Sequence, residues 1–327
     1  MSGFSSPFCL RDLILRNNII YAPMSGCSDF PFRRISREYH EGLIFCEMVK
    51  MEPLVRGHKG TLGYLDYSDD MHPIGAQLVG SNPAIAGESA KIIEDKGFDV
   101  IDLNCGCPVD KVIRDGSGSG MLKDPQRIGD IVEQMVSAVN IPVMVKIRAG
   151  WNNEGVNIEE ITRIVEDAGA VAITIHGRTR SQGYSGSVNF EWVKACKAAA
   201  KNMLVIGNGD IFDGPSAKAM FDNTGCDGIL VARGMLGNPW IAEDIERYMK
   251  GGDILEHSTE ERRSALARHF SYMLEYKEER KALLEMRRVG CWYFKGLPRS
   301  SEFRGALMKA ETKEAVWNLI KQSCADE

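Results

Sequence analysis

The stretch "DLNCGCPVDK", residues 102 to 111, sets an amide and two thiols, Asn104, Cys105 and Cys107, where an apolar run gives way to a loop. Paired thiols bind metals, close disulfides or act as acids, and the rest of the chain narrows the choice. No second close pair of cysteines or histidines exists and the six histidines are dispersed, so no metal site is expected. Nine cysteines, an odd number running from Cys9 to Cys324, suit free thiols in a reducing compartment better than a disulfide framework. Spacing alone does not choose between Cys105 and Cys107. Other polar groups interrupt or end apolar runs in the same way: Glu47, Gln77, Lys146, Arg148, His176, Arg178, Asn208, Asp210 and Arg233.

The elements that must position these groups are short apolar runs rather than alternating ones, the pattern of strands buried on both faces in a parallel sheet. Eight are present: "NIIYA" ending at Ala22, "GLIFC" at Cys46, "IGAQLV" at Val79, "VIDLN" at Asn104, "VMVKI" at Ile147, "VAITI" at Ile175, "LVIG" at Gly207 and "GILVA" at Ala232. Helical stretches lie between them. Asn82-Pro83, Asp124-Pro125 and Asn238-Pro239 each offer a capping side chain before a proline suited to a first turn. After Asp124-Pro125, Ile128, Ile131, Val132, Met135, Val136 and Val139 share one helical face. Eight strand-and-helix units in residues 1 to 250 predict a TIM (β/α)8 barrel, with residues 251 to 327 forming a small all-helical domain.

In such a barrel the C-terminal ends of the strands form the active-site rim, so the polar groups gather there. Isolated Lys, Gln and His side chains inside apolar strand ends are costly without partners, and a polar ligand supplies them. The loops "GNGDIFDGP" and "ARGMLGNP" follow the last two strands, where such barrels hold phosphate on backbone N–H groups. Lys146, Gln77 and Asn208 could bond the edge of a flat heterocycle whose phosphate tail lies in those loops. FMN has that shape, and no dinucleotide-binding G-x-G-x-x-G unit is present.

Six segments, "APMSGCSDFPFR", "DLNCGCPVDKVIRDGSGSGML", "KIRAGW", "TIHGRTRSQGYSG", "IGNGDI" and "ARGMLGNPW", resemble the tRNA-dihydrouridine synthases, most of all the bacterial DusB-type branch. The resemblance covers nearly the whole chain. It implies that Pro23, Met24 and Ser25 line FMN, that Gln77 and Lys146 bind its ring with His176 beside it, and that Asn208, Gly209, Asp210, Ala232 and Arg233 hold its ribityl phosphate. It makes Cys107, the cysteine before proline, the catalytic residue. An unshifted thiol keeps its proton near neutrality, so Cys107 is assigned as general acid toward uracil C5. Asn104 would orient the uracil edge. NADPH, or NADH, would visit the flavin face transiently as reductant, giving ping-pong kinetics. Two departures stand out: Ala232 where the family has glycine before the arginine, and Cys105 at the motif's variable place.

The net charge of −5 argues against general adhesion to nucleic acid, so an RNA partner needs a local basic face. From residue 251 onward 14 basic residues meet 13 acidic ones, and the acid excess lies in the first 250. Ser258 and Glu261 make a capping-box pattern, followed by apolar stripes at Leu266, Phe270, Met273 and Leu274, then Ala282, Met286, Val289 and Tyr293. Arg280, Lys281, Arg287, Arg288, Lys295, Arg299 and Arg304 interleave with Trp292, Tyr293 and Phe294, a candidate platform for tRNA. Arg148 and the rim residues Lys111, Arg114 and Arg178 would extend it into the site. No run is long enough for a membrane span and the first residues lack a secretory pattern, so a cytoplasmic protein is expected, read as a monomer. The rival expectations are an FMN-dependent dehydrogenase of a free pyrimidine, like dihydroorotate dehydrogenase, and a non-catalytic RNA-binding barrel.

Overall fold

Each of the eight apolar runs is a strand in the computed structural model, which describes Phe4 and residues 7 to 322; Cys324 lies outside the described residues. The strands are β1 Ile19–Tyr21, β2 Ile44–Phe45, β3 Ile74–Val79, β4 Val100–Cys105, β5 Val143–Arg148, β6 Ala172–His176, β7 Leu204–Asn208 and β8 Gly228–Val231. All pair in parallel. β8 returns to β1 through Ile229 and Ile19, while β2 bonds both β1 and β3 through Ile44, so the sheet closes. Val49–Lys50 continues the second run and pairs with the end of β3. Every residue of β3, β4 and β6 is buried, as continuous apolar runs require when helices cover the outer face.

The main outer helices are α1 Phe30–Arg37, α2 Met51–Val55, α3 Ala86–Asp95, α4 Pro125–Ala138, α5 Ile158–Asp167, α6 Phe190–Ala199, α7 Gly214–Thr224 and α8 Ile241–Met249. Asp124 caps α4 by accepting from the Arg127 N–H, and Ile128, Ile131, Val132 and Met135 face the core. Asn82 caps a 3-10 turn before α3 in the same way. Asn238-Pro239 does not start α8, which begins two residues later. Tyr21, buried at the barrel wall, takes over instead: its hydroxyl donates to the Pro239 carbonyl at 3.0 Å and accepts from the Ala242 N–H at 3.1 Å. A two-stranded hairpin, Phe8–Leu10 with Leu13–Leu15, adds Phe8, Leu10 and Leu15 to the barrel core. Its strands are three residues long and its turn is made by Arg11 at a φ of 57°, so no glycine or longer alternation marks it in the sequence.

Beyond the barrel, α9 Thr259–Tyr276, α10 Glu279–Tyr293, α11 Ser300–Lys309 and α12 Lys313–Gln322 enclose a second apolar cluster containing Leu266, Phe270, Met273, Met286 and Tyr293. Ser258 and Glu261 form the capping box reciprocally at the start of α9. These helices dock on α1. The Phe30 and Tyr276 rings stack at 4.4 Å, Arg34 pairs with Glu275 at 2.6 Å, and buried Lys277 bridges Asp29 and Glu285. Gly237 has a φ of 69°, and a β-carbon there would fall 2.3 Å from the Trp292 backbone, so only glycine lets the β8 loop lie against α10.

Two buried histidines link this packing to pH. Burial holds His40 down to about 3 and His269, whose Nδ1 lies 3.0 Å from the Tyr293 hydroxyl, down to about 4. Below pH 6.5 the unfolded chain protonates both while the folded chain does not, so stability falls between pH 6.5 and about 4 by up to about 1.4 kcal/mol per pH unit per histidine. Denaturant unfolding across that range should show the loss, and His269→Gln should make it shallower by that histidine's share.

Candidate active site

Side chains alternate along a strand, so Asp102 and Asn104 of β4 point the same way, into the barrel, while Cys105 points out toward the helices. Strand register then sets the neighbours: Gln77 beside Asp102, Asn104 beside Lys146, Arg148 beside His176, and His176 beside Asn208. Above them opens a cleft of about 600 Å³. It is lined by Pro23, Met24 and Ser25 from the β1 loop, Gln77 from β3, Asn104, Cys107 and Lys111 from β4 and its loop, Lys146 and Arg148 from β5, His176 from β6, Asn208, Gly209 and Asp210 from β7, and Ala232 and Arg233 from β8. Arg114, Arg178, Arg287 and Arg288 do not line it.

The two thiols part company here. Cys105 is 0% exposed in the core between sheet and helices, whereas Cys107 opens onto the cleft. The Cys107 loop is held from both sides: the Asn104 Oδ1 accepts the N–H groups of Gly106 at 3.0 Å and Cys107 at 2.8 Å, and Ser119 donates its N–H and hydroxyl to the Cys107 carbonyl. Burial pushes the Cys107 thiol up, against the pull of the Val109 N–H, Arg148 and Lys146, so it stays protonated at neutral pH. All eight described cysteines are free.

The Asn104 amide also donates to the Gln77 Oε1 at 2.7 Å and more weakly to the Met48 sulfur at 3.6 Å. Asn104 is therefore first a brace for the cysteine loop; only its N–H toward Met48 is available to an acceptor in the cleft. Gln77 in turn donates to the Asp102 Oδ2 at 2.6 Å and keeps its second N–H. Lys146 donates to the Asn208 Oδ1 at 3.1 Å; burial and Arg148 lower its pKa while Asp102 opposes them. Burial, with Lys146, Arg148, Arg178 and Arg233 around it, drives the His176 pKa far down. His176 is thus a neutral imidazole that acts by hydrogen bonding, not by charge.

Arg178 is 1% exposed and cannot meet a phosphate from solution. It grips the Asp210 carboxylate through two contacts at 2.9 and 2.6 Å and donates to the Ser185 and Gly186 carbonyls. Arg148 is likewise buried, tying the carbonyls of Gly106, Thr179 and Gly183 together. Both fell to loop clamping because long inward arginines find carbonyls before they find solvent. Asp210 sits at a φ of 52°, and its carboxylate faces Arg178 and Arg233 rather than the cleft floor. Burial raises that carboxylate's pKa, but the Arg178 contact, the Val188 N–H and Arg233 outweigh it and hold it below the usual range. Arg233 is left exposed at the mouth, 4.6 Å from the Tyr184 ring.

On the helical side, Tyr293 and Phe294 are buried in the second core, so of the three aromatics only Trp292 is partly open. Arg288 lies 5.6 Å over Trp292 and donates to the Gly26 carbonyl at the rim, while its neighbour Arg287 turns to the Ala310 carbonyl at 3.3 Å. The sequence alone singles out neither Asp102 nor Tyr184. Asp102 had a signal, a carboxylate inside an apolar strand; Tyr184, between glycines and 59% exposed, had none.

The cleft suits a flat ring with an anionic tail. Gly209 has a φ of 125°, and a β-carbon there would fall 2.8 Å from Val188 and 3.0 Å from His176. At Gly234 one would fall 2.3 Å from the Ile211 carbonyl, so glycine alone brings the β7 and β8 loops together beneath Arg233. Ala232, at a φ of −116° and a ψ of −98°, stands where the resemblance has glycine, and nothing in the structure explains the alanine. Solved structures share the architecture: histamine dehydrogenase from Rhizobium sp. 4-9 has a TM-score of 0.56 at 15% identity over 81% of this chain and 50% of its own. A variant of NCR from Zymomonas mobilis has 0.52 at 16%, over 80% and 96%.

Curated sequences lie much nearer. A probable tRNA-dihydrouridine synthase of Rickettsia bellii is 38% identical over 91% of this chain and 92% of its own. The tRNA-dihydrouridine synthase B of Pseudomonas aeruginosa is 33% identical over 95% and 94%. The dihydrouridine synthase (Dus) family model matches residues 20–327, from the first barrel strand through the last helix. With the cysteine loop, the barrel rim and the helical tail all inside that match, the chain belongs to the dihydrouridine synthase family.

Proposed function

We propose that the protein is a flavin-dependent tRNA-dihydrouridine synthase, acting on tRNA in the cytoplasm, in which Cys107 is the acid that protonates uracil C5. The observation that carries this reading is the separation of the thiols: one is sealed in the core, and the other, protonated, faces the cleft among Lys146, Asn104 and His176.

The residues present fit FMN: the spare Gln77 N–H and Lys146 toward its ring edge, and Arg233 with the Gly209 and Gly234 backbones toward its phosphate. When bound and reduced by NADPH, FMN would supply the hydride that uracil C6 needs. The chain's own residues do the rest. Cys107 gives the proton on its Sγ to C5 from the side of the cleft where its loop is pinned. Lys146 offers a positive charge to the electron-rich ring edge as charge develops, and buried surroundings strengthen that contact. A uridine in folded RNA enters this cleft only when splayed from its stack.

The helical unit, residues 251 to 327, is the natural surface for the body of the tRNA. Arg288 and Trp292 lie beside the β1 loop, and exposed Lys111 and Arg114 continue the basic path along the β4 loop. Arg287, turned to Ala310, contributes less.

Cys107→Ala should keep bound flavin and its reduction by NADPH while slowing uridine reduction by about a hundredfold or more. In the native protein the uridine step should stay level through neutral pH and fall only as alkali deprotonates the raised thiol. Rapid-mixing flavin absorbance with and without tRNA measures both, and unchanged dihydrouridine formation by the variant would remove Cys107 from the mechanism. Arg288→Glu should weaken tRNA affinity at least tenfold and lower the salt slope by about one, with Arg287→Glu doing less.

A further inference from the structure

Asp102, Gln77 and Asn104 form a chain of hydrogen bonds whose direction is set at its two ends. At one end is the Asp102 carboxylate, whose Oδ2 accepts from the Gln77 Nε2 at 2.6 Å. At the other are two backbone N–H groups, those of Gly106 and Cys107, which can only donate. Between them stand two amides that could each be turned either way. A carboxylate acceptor requires Gln77 to present its nitrogen to Asp102 and therefore its oxygen to Asn104. The N–H pair requires Asn104 to present its oxygen to the loop and therefore its nitrogen to Gln77. The two demands agree, and the Asn104 Nδ2 meets the Gln77 Oε1 at 2.7 Å. Reversing either amide would leave two donors or two acceptors face to face in a buried site.

We infer that Asp102 is a positioning residue for the reaction: by dictating the orientation of the Gln77 amide it dictates that of Asn104, and so holds the Cys107 loop where its thiol faces the cleft. This deepens the proposed function and rests on it. Asp102 is 3% exposed and its Oδ1 has no hydrogen-bond partner among the described residues. Burial pushes this carboxyl up, against the pull of Gln77 and Lys146. A proton taken up on Oδ1 leaves Oδ2 accepting, so the direction of the chain is the same in either state. Asp102 touches neither thiol nor cleft wall and acts only through its neighbours.

The test reverses the chain without changing its composition. In Asn104→Asp, the carboxylate at 104 still accepts the two loop N–H groups but requires a donor from Gln77, whose amide must turn and set its oxygen against Asp102. Adding Asp102→Asn supplies the donor that the turned Gln77 needs, and every partner is satisfied again in the opposite sense. Asp102→Asn alone can keep its oxygen toward Gln77. We expect Asp102→Asn to reduce uridine within about threefold of the native rate. Asn104→Asp should be slowed at least tenfold, and the exchanged pair should regain at least threefold over Asn104→Asp. Losses that simply multiply in the pair, or native behaviour of Asn104→Asp, would overturn the inference. If Asn104→Asp does not fold, recovery of folded protein in the pair is the expected result and its absence the contrary one. Iodoacetamide labelling of Cys107, read by mass spectrometry on flavin-free protein, separates this inference from the proposed reaction. Should the native protein bind FMN yet make no dihydrouridine, the proposed function falls, while a labelling rate changed in Asn104→Asp and restored in the pair still upholds the relay, and one unchanged in both overturns it.

Discussion

A parallel sheet closed on itself buries every second side chain in its interior, and a polar group placed there must bond another group or a ligand. That constraint organises this molecule. The lower barrel obeys it with apolar residues. Toward the C-terminal ends the inward positions become Gln77, Asp102, Asn104, Lys146, Arg148, His176 and Asn208, and most of these bond one another or backbone carbonyls first. What they leave unsatisfied, a Gln77 N–H, the remaining valences of Lys146 and the protonated thiol of Cys107, is what the cleft has to offer.

The same constraint divides the charged residues by task. Arg148 and Arg178 are drawn inward and spend their donors on carbonyls and on Asp210, which fixes the β4, β6 and β7 loops. Arg233 and Arg288, held from behind by Asp210 and the Gly26 carbonyl, stay near solvent. Rigid buried arginines thus support accessible ones. The helical tail is fastened to the rim by the same kind of contact, through Lys277 between Asp29 and Glu285 and through Gly237 against α10.

Much of this was legible in the sequence because strand burial and strand endings leave strong marks. All eight apolar runs are strands, and most of the polar residues at their ends meet in one cleft, whereas Glu47 and Arg178 do not line it. What escaped is equally physical. The hairpin at Phe8–Leu15 is too short to carry a pattern, and its left-handed turn uses arginine. Asn238-Pro239 looked like a helix start, but a tyrosine 218 residues away in sequence does the capping. Residue type alone marks an arginine or a tyrosine as available to RNA; only packing shows that Arg178, Tyr293 and Phe294 are buried. The choice between Cys105 and Cys107 rested on resemblance until strand alternation turned one thiol outward from the barrel and left the other at the cleft.

The central claim is that this cleft holds a flavin beside an acid thiol and serves a base presented by tRNA. The most direct measurement is anaerobic: load the native protein with FMN, reduce it with NADPH, and mix it with unmodified tRNA or with free uracil or orotate while following flavin absorbance. Rapid return of the oxidised spectrum with tRNA alone, matched by stoichiometric dihydrouridine in the RNA, is the predicted result. A protein that does not take up FMN, or a reduced flavin oxidised by orotate and not by tRNA, contradicts it.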